Sequence, residues 1–294
     1  MPRTEGPPLP TSFGAALEST FERHGQLCVG IDPHESLLEE WGLPDTAEGL
    51  RSFSFSTLEA AVDTVGIIKP QVAFFERFGS AGFKVLEDLA EAAAQSDLLV
   101  IMDAKRGDIG STMTGYFDAW LGKTAPFVCD ALTVSPYLGV DSLAETMAEA
   151  MERGKGVFVL AATSNEEAKS LQRAQIGDQT VAADVYDRIE RINSVNLSPG
   201  ARIGSLGVVV GATLNLSATG LARLQSEANL HTPILAPGFG AQGASLDELA
   251  DLFGAAADRV IANVSRSVLA SGSTALQSAI VQAKQQLLKG TKRA

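Results

Sequence analysis

Along the chain, short runs of apolar and β-branched residues alternate with longer segments whose apolar positions recur every three or four residues. The short runs are QLCVGID (26–32), VGIIKP (65–70), LLVIMDAK (98–105), ALTVSP (131–136), GVFVLAAT (156–163), LGVVVGAT (206–213), PILAPG (233–238) and DRVIANVS (258–265). Continuous apolar runs of this length fit parallel strands covered on both faces. Helical patterns are expected between them, for example at 82–96, 142–153 and 217–229. Eight strand–helix alternations in 294 residues predict a (β/α)8 TIM barrel. A doubly wound open sheet is the alternative that the same alternation allows.

Two stretches stand outside the alternation. Residues 1–12 are Pro-rich and read as an N-terminal arm, leaving 13–294 for the barrel. Residues 164–205 are longer than an ordinary strand-to-strand connection, with helical patterns at 166–174 and 180–194 followed by LSPGARIG. They read as an elaborated fifth βα unit within a single domain.

Composition narrows the partners. Lys and Arg number 23 against 35 Asp and Glu, a formal net charge of −12. A body this acidic is a poor general partner for nucleic acid or an anionic membrane, so an anionic ligand needs a local site. The N-terminus lacks the apolar stretch of a signal peptide, and no run approaches the roughly 20 residues that span a bilayer. A cytoplasmic protein is expected. Cys28 and Cys129 lie in apolar runs and read as reduced, buried thiols.

Charges at strand ends carry the candidate chemistry. The first run ends at Asp32, the second at Lys69, and the third at Asp103 and Lys105, with Asp108 beyond Gly107. In a barrel, strand ends and the loops after them build the active site. Asp103 and Lys105 are two apart and share a strand face. Charges placed directly after LLVIM cost several kcal/mol to bury unless they are paired. The loops after the seventh and eighth runs, PGFGAQG (237–243) and VSRS (264–267), combine glycines with Arg266, a pattern suited to phosphate.

DAKRGDIGST (103–112) resembles the signature of the orotidine 5′-phosphate decarboxylase family, D-x-K-x-x-D-I followed by a small residue, any residue and Thr. VGIDPH, IIKPQVAFFERFG, LTVSPYLG, APGFGAQG and NVSRSVL resemble the family's other strand ends, the second in its bacterial, type 2 branch that includes actinobacteria. The resemblance covers about residues 13–285. It implies a metal- and cofactor-free enzyme of pyrimidine biosynthesis that converts orotidine 5′-phosphate to UMP, working as a homodimer. Lys69, Asp103, Lys105 and Asp108 match the family's charged tetrad, Lys105 as the proton donor and Asp108 as the carboxylate supplied by the other subunit together with Ile109 and Thr112. Asp32 matches a ribose contact, and Ser135 the serine on the pyrimidine edge. Pro237, Gln242, Ser265 and Arg266 match the stations of the substrate-binding loops, Gln242 and Arg266 as phosphate contacts. In metal-dependent sugar-phosphate relatives the second-strand station is acidic; here Lys69 would oppose a cation. The tetrad suits the chemistry, because an ammonium can stabilise and then protonate the carbanion left by carbon dioxide.

The remaining candidates receive structural readings. His24, His34 and His231 are too scattered for a metal site, and His34 is expected on a loop surface. Ser164 and Asn165 read as helix caps, Arg106 as a dimer contact, and Trp41 and Trp120 as packing residues.

Overall fold

The computed structural model describes residues 12–291, so the expected arm at 1–12 lies almost wholly outside the described residues. In chain order the strands are β1 (Leu27–Ile31), β2 (Ile67–Pro70), β3 (Leu99–Arg106), β4 (Ala131–Val134), β5 (Gly156–Ala162), β6 (Gln175–Ile176), β7 (Gln179–Thr180), β8 (Leu206–Val210), β9 (Ile234–Pro237) and β10 (Val260–Val264). All but the β6–β7 hairpin form one closed parallel barrel in the order β1-β10-β9-β8-β5-β4-β3-β2. First and last barrel strands are neighbours, with Cys28 paired to Asn263. Closure removes the open-sheet alternative, and each apolar run predicted as a strand contains one.

Period-2 alternation sends every second side chain into the barrel. Cys28, Ile67, Ile101, Ala131, Phe158, Val209, Leu235 and Ile261 meet there as a core separate from the one under the helices. Phe158 is the bulkiest of them, and Gly207 makes room for it: a Cβ at 207 would sit 2.3 Å from the Phe158 ring. The helix Phe13–His24 adds Phe13 and Leu17 to this inner core. Phe13 meets Phe158 edge-on with ring centroids 5.9 Å apart, the arrangement that aromatic quadrupoles favour. The outward faces of the strands are covered by amphipathic helices; Gly79–Ala93, for instance, buries Gly82, Val85, Leu86, Leu89, Ala90 and Ala93 at helical spacing.

Helix boundaries moved where glycine intervenes. The pattern at 82–96 begins earlier, as Gly79–Ala93. That at 142–153 starts with a 3-10 turn, Val140–Leu143, before the helix Ala144–Glu152. The expected helix at 217–229 is broken into Ser217–Thr219 and Arg223–Ser226, because Gly220 takes a left-handed φ of 78° and stops the first turn. In the long fifth unit, 166–174 folds as Glu166–Ala168 followed by Lys169–Gln172. The β6–β7 hairpin then turns through Gly177 at φ 61°. The helix Val181–Asn196 follows, capped by the Thr180 hydroxyl accepting from the Ala183 N–H. Both cysteines are free and buried, and burial pushes the Cys28 thiol up to about 12. No helix among the described residues is long and apolar enough to cross a membrane.

Phe158→Ala should cost about 3–5 kcal/mol of stability, since a ring this enclosed leaves a cavity its neighbours cannot fill. Urea unfolding measures it; a loss below about 1 kcal/mol would mean that the barrel interior relaxes around the void.

Candidate active site

Further along the same strands the inward positions turn from apolar to polar: Lys69 follows Ile67, Asp103 follows Ile101, Thr133 follows Ala131 and Asn263 follows Ile261. These groups lie at the C-terminal end of the barrel, where a cavity of about 510 Å³ opens. It is lined from β1 by Asp32, from β2 by Lys69 and Gln71, and from β3 by Asp103 and Lys105. On the opposite side Thr163, Ser164 and Asn165 follow β5, the 237–242 loop follows β9, and Ser265 and Arg266 follow β10.

Lys69 is the most enclosed cation of this group, 3 % exposed. Its Nζ donates to Asp103 Oδ2 at 2.9 Å and lies 3.9 Å from Asp32 Oδ1. Burial alone would drive the ammonium to lose its proton, but Asp103 and Asp32 overcome it and hold Lys69 above the ordinary lysine range. Asp103 is the reciprocal case. Burial pushes its carboxyl upward, yet Lys69 and Lys105 together hold it well below the usual carboxylate range. Its other oxygen, Oδ1, accepts from Lys105 Nζ at 2.6 Å and from the Thr133 hydroxyl at 2.8 Å. Gln71 closes the cluster: with its amide group toward Asp103 Oδ2, its Oε1 accepts from Lys105 Nζ at 3.1 Å.

Lys105 reaches Asp103 by an unexpected backbone route. The β3–β4 register passes from Met102 opposite Leu132 to Arg106 opposite Val134, a bulge in β3. Inside it Lys105 has φ 50°, a left-handed conformation rare for a residue with a side chain. The expectation that Asp103 and Lys105 share a face holds through the bulge rather than through simple alternation.

Asp32 is set by a close strand approach. Ser265 donates to its Oδ2 at 2.5 Å, and a Cβ at Gly30 would fall 2.9 Å from Ser265 Cβ. Asp32 Oδ1, 3.9 Å from Lys69 Nζ, and Asn263 Oδ1 are buried with no hydrogen-bond donor among the described residues, and both residues line the cavity. Across the cavity Ser164 donates to Gln242 Oε1 at 3.0 Å. The 237–243 loop turns through three glycines of positive φ, Gly238 at 115°, Gly240 at 76° and Gly243 at 106°. Arg266 stands exposed at the rim beside it.

Several expectations change. Ser135 is outside the cavity; its N–H donates to the Arg106 carbonyl at 2.7 Å, and its own carbonyl crowds Gly107. Ser164 and Asn165, read as caps, line the cavity instead, and the Asn165 side chain makes no cap hydrogen bond. His34 also lines it, packed on Phe74 with ring centroids 4.2 Å apart. Burial, aided by Arg266 and Arg77 and opposed by Asp32, lowers the His34 pKa below the ordinary histidine value. Arg106 is engaged within its own chain, paired with Glu76 and near the Tyr116 and Trp120 rings. Trp120 stacks on Phe127, and Trp41 donates to the Leu269 carbonyl, as packing residues would. Asp108, Ile109 and Thr112 do not line the cavity: the Asp108 carboxylate accepts from the Ile109 N–H, while Ile109 and Thr112 face outward. Gln71 and Thr133 went unassigned in the sequence, although each stands two residues beyond an inward-facing position of its strand.

A TIM barrel with an Asp–Lys–Asp–Lys cluster and a glycine–arginine rim at its C-terminal mouth has the layout of a TIM-barrel enzyme's active site. The chain belongs to the orotidine 5′-phosphate decarboxylase / HUMPS family, whose pattern it matches over residues 25–279. It is 48% identical over 262 residues to orotidine 5′-phosphate decarboxylase of Corynebacterium glutamicum, covering 89% of this chain and 91% of that protein. The corresponding Streptomyces coelicolor protein is 49% identical over 271 residues, covering 91% and 94%. A Streptomyces avermitilis crystal structure named for the same decarboxylase superposes with a TM-score of 0.88 at 46% identity, covering 96% of each chain.

The Asp103 shift has a sign that can be checked. Its folded pKa lies below its unfolded value of about 3.9, so its contribution to stability is present above that value and lost as pH falls toward the folded pKa. Between pH 6 and pH 3 the parent should therefore lose about 1 kcal/mol more stability than Asp103→Asn, read from urea unfolding at each pH. Equal losses would show that Asp103 is not held as a carboxylate.

Proposed function

We propose that this chain decarboxylates orotidine 5′-phosphate to UMP in pyrimidine biosynthesis, and that Lys69, Asp103, Lys105 and the partner's Asp108 form the working charge array. The observation that carries the reading is the chain of contacts Lys69–Asp103–Lys105 at the head of a cavity of about 510 Å³, roomy enough for a nucleotide. In this reading the bond from C6 of the pyrimidine to its carboxylate breaks, carbon dioxide leaves, and the electron pair stays on C6. Lys105 stabilises that carbanion as an ammonium and transfers a proton from Nζ to C6; solvent then restores the proton. Asp103, held ionised, faces the departing carboxylate, and their repulsion is relieved as charge leaves. At 4 Å and an effective dielectric near 20 one such pair is worth about 4 kcal/mol, enough for its placement to matter.

Remote contacts organise the reacting end. Asp32 and Lys69 suit the ribose hydroxyls, and Ser164 with Gln242 suits the pyrimidine edge in place of Ser135. The glycine turns after β9 with Arg266 and the backbone beside Ser265 suit the phosphate. Residues 13–294 act as one catalytic domain in this reading, with 164–205 elaborating one wall of the site.

A homodimer completes it. Ile109 is 60 % exposed, and Tyr137 and Leu138, on the neighbouring β4 loop, are 78 % and 54 % exposed. Apolar groups of this size clustered beside the barrel mouth suit burial against a second copy. The partner's Asp108, Ile109 and Thr112 would then reach a cavity that the same residues of its own chain do not line.

Protein dialysed against EDTA should consume orotidine 5′-phosphate, followed by ultraviolet absorbance, and Lys105→Ala should lower kcat by at least about a hundredfold. UMP binding without turnover would instead make the chain a nucleotide-binding barrel. Lys105→Ala and Asp108→Ala proteins, each poor alone, should recover on mixing. Random exchange makes half of the dimers mixed, each with one intact site, so about a quarter of the parent rate is expected. No recovery after proven exchange would rule out the shared site.

A further inference from the structure

We propose that Thr133 is a positioning residue, its hydroxyl fixing both the left-handed backbone that aims Lys105 and the carboxylate that faces it. The proposal rests on the decarboxylase reading and deepens it. Thr133 is fully buried on β4, one inward position above Ala131. Its Oγ1 accepts the backbone N–H of Lys105 at 3.0 Å and donates to Asp103 Oδ1 at 2.8 Å. The donor direction is set by chemistry. A carboxylate only accepts and a backbone N–H only donates, so the single hydroxyl proton points to Asp103 and a lone pair to Lys105.

The bulge gives this bond its importance. Between Met102 and Arg106, β3 advances four residues while β4 advances two, from Leu132 to Val134. The Lys105 N–H therefore makes its hydrogen bond to a side chain where a regular ladder would offer a carbonyl. Without the hydroxyl it becomes an unsatisfied donor in a turn already at φ 50°, and the segment gains a reason to relax. The Lys105 ammonium would still be drawn to Asp103, but from a different origin. One oxygen thus couples the position of the proton donor to that of the carboxylate beside it. Valine keeps the shape and β-branching of threonine and deletes only the hydroxyl, and serine keeps the hydroxyl.

The experiment compares parent, Thr133→Val and Thr133→Ser by kcat and KM for orotidine 5′-phosphate, by UMP affinity, and by NMR exchange of the Lys105 amide. Thr133→Val should lose at least about tenfold in kcat with UMP affinity held within about threefold, because the ground-state contacts of the nucleotide are elsewhere. Its Lys105 amide should exchange at least about tenfold faster. Thr133→Ser should return to within about threefold of the parent in both. The proposal is overturned if Thr133→Val keeps kcat within about twofold, if Thr133→Ser is as defective as Thr133→Val, or if UMP affinity falls in parallel with kcat. Thr133→Ala carries the same comparison if the valine protein does not fold. A parent without activity on orotidine 5′-phosphate would overturn the reaction assignment, and amide exchange alone would then decide the latch.

Discussion

A protonated lysine almost wholly removed from water is the constraint around which this barrel is arranged. An isolated ammonium in such a place would give up its proton or pull the fold open. Lys69 does neither because Asp103 and Asp32 approach it from the two flanking strands, β3 and β1. Each of those carboxylates is in turn fixed by others: Asp103 by Lys105, Gln71 and Thr133, Asp32 by Ser265. The result is a polar network in which no charge is tolerable without the next, and removal of one member changes the titration of the rest.

That interdependence explains why the cluster sits at one depth of the barrel. Below it the inward positions are apolar and packed around Phe158, so charges find no partners and no water there. Above it lie loops, whose backbone can turn toward a ligand but cannot hold a side chain as rigidly. The boundary between the two is the last inward position of β2, β3, β4 and β10, where a side chain is oriented by the sheet and still reaches the cavity. Charge placed there is preorganised: the cost of orienting it is met in folding, not during turnover.

Much of this was legible in the amino-acid order. Strands announce themselves as apolar runs, and a charge at the end of such a run identifies the functional face, so Asp32, Lys69, Asp103 and Lys105 could be named from local context. What escaped was relational. Thr133 and Gln71 look like ordinary strand-end polar residues until the barrel is closed and β2, β3 and β4 stand side by side. Ser164 and Ser135 look alike in the sequence because both follow a strand and precede a turn, yet only Ser164 lines the cavity. Only the register of β4 and β5 against the cavity separates them. The bulge in β3 left no local trace, since it falls on a lysine and not on a glycine. Conversely, the broken helix after β8 was signalled by Gly220, which periodicity alone had overridden.

The hydrogen bond between Ser265 and Asp32 joins residues 233 positions apart. It forms where β10 closes against β1, at the seam of the barrel. Contacts of such sequence separation impose a long loop-closure search. During synthesis the first half of the site is therefore made long before the strand that completes it. Until β10 arrives, β1 presents an unpaired edge and Asp32 lacks its serine. The contact that fixes Asp32 and the seam that closes the barrel therefore form together.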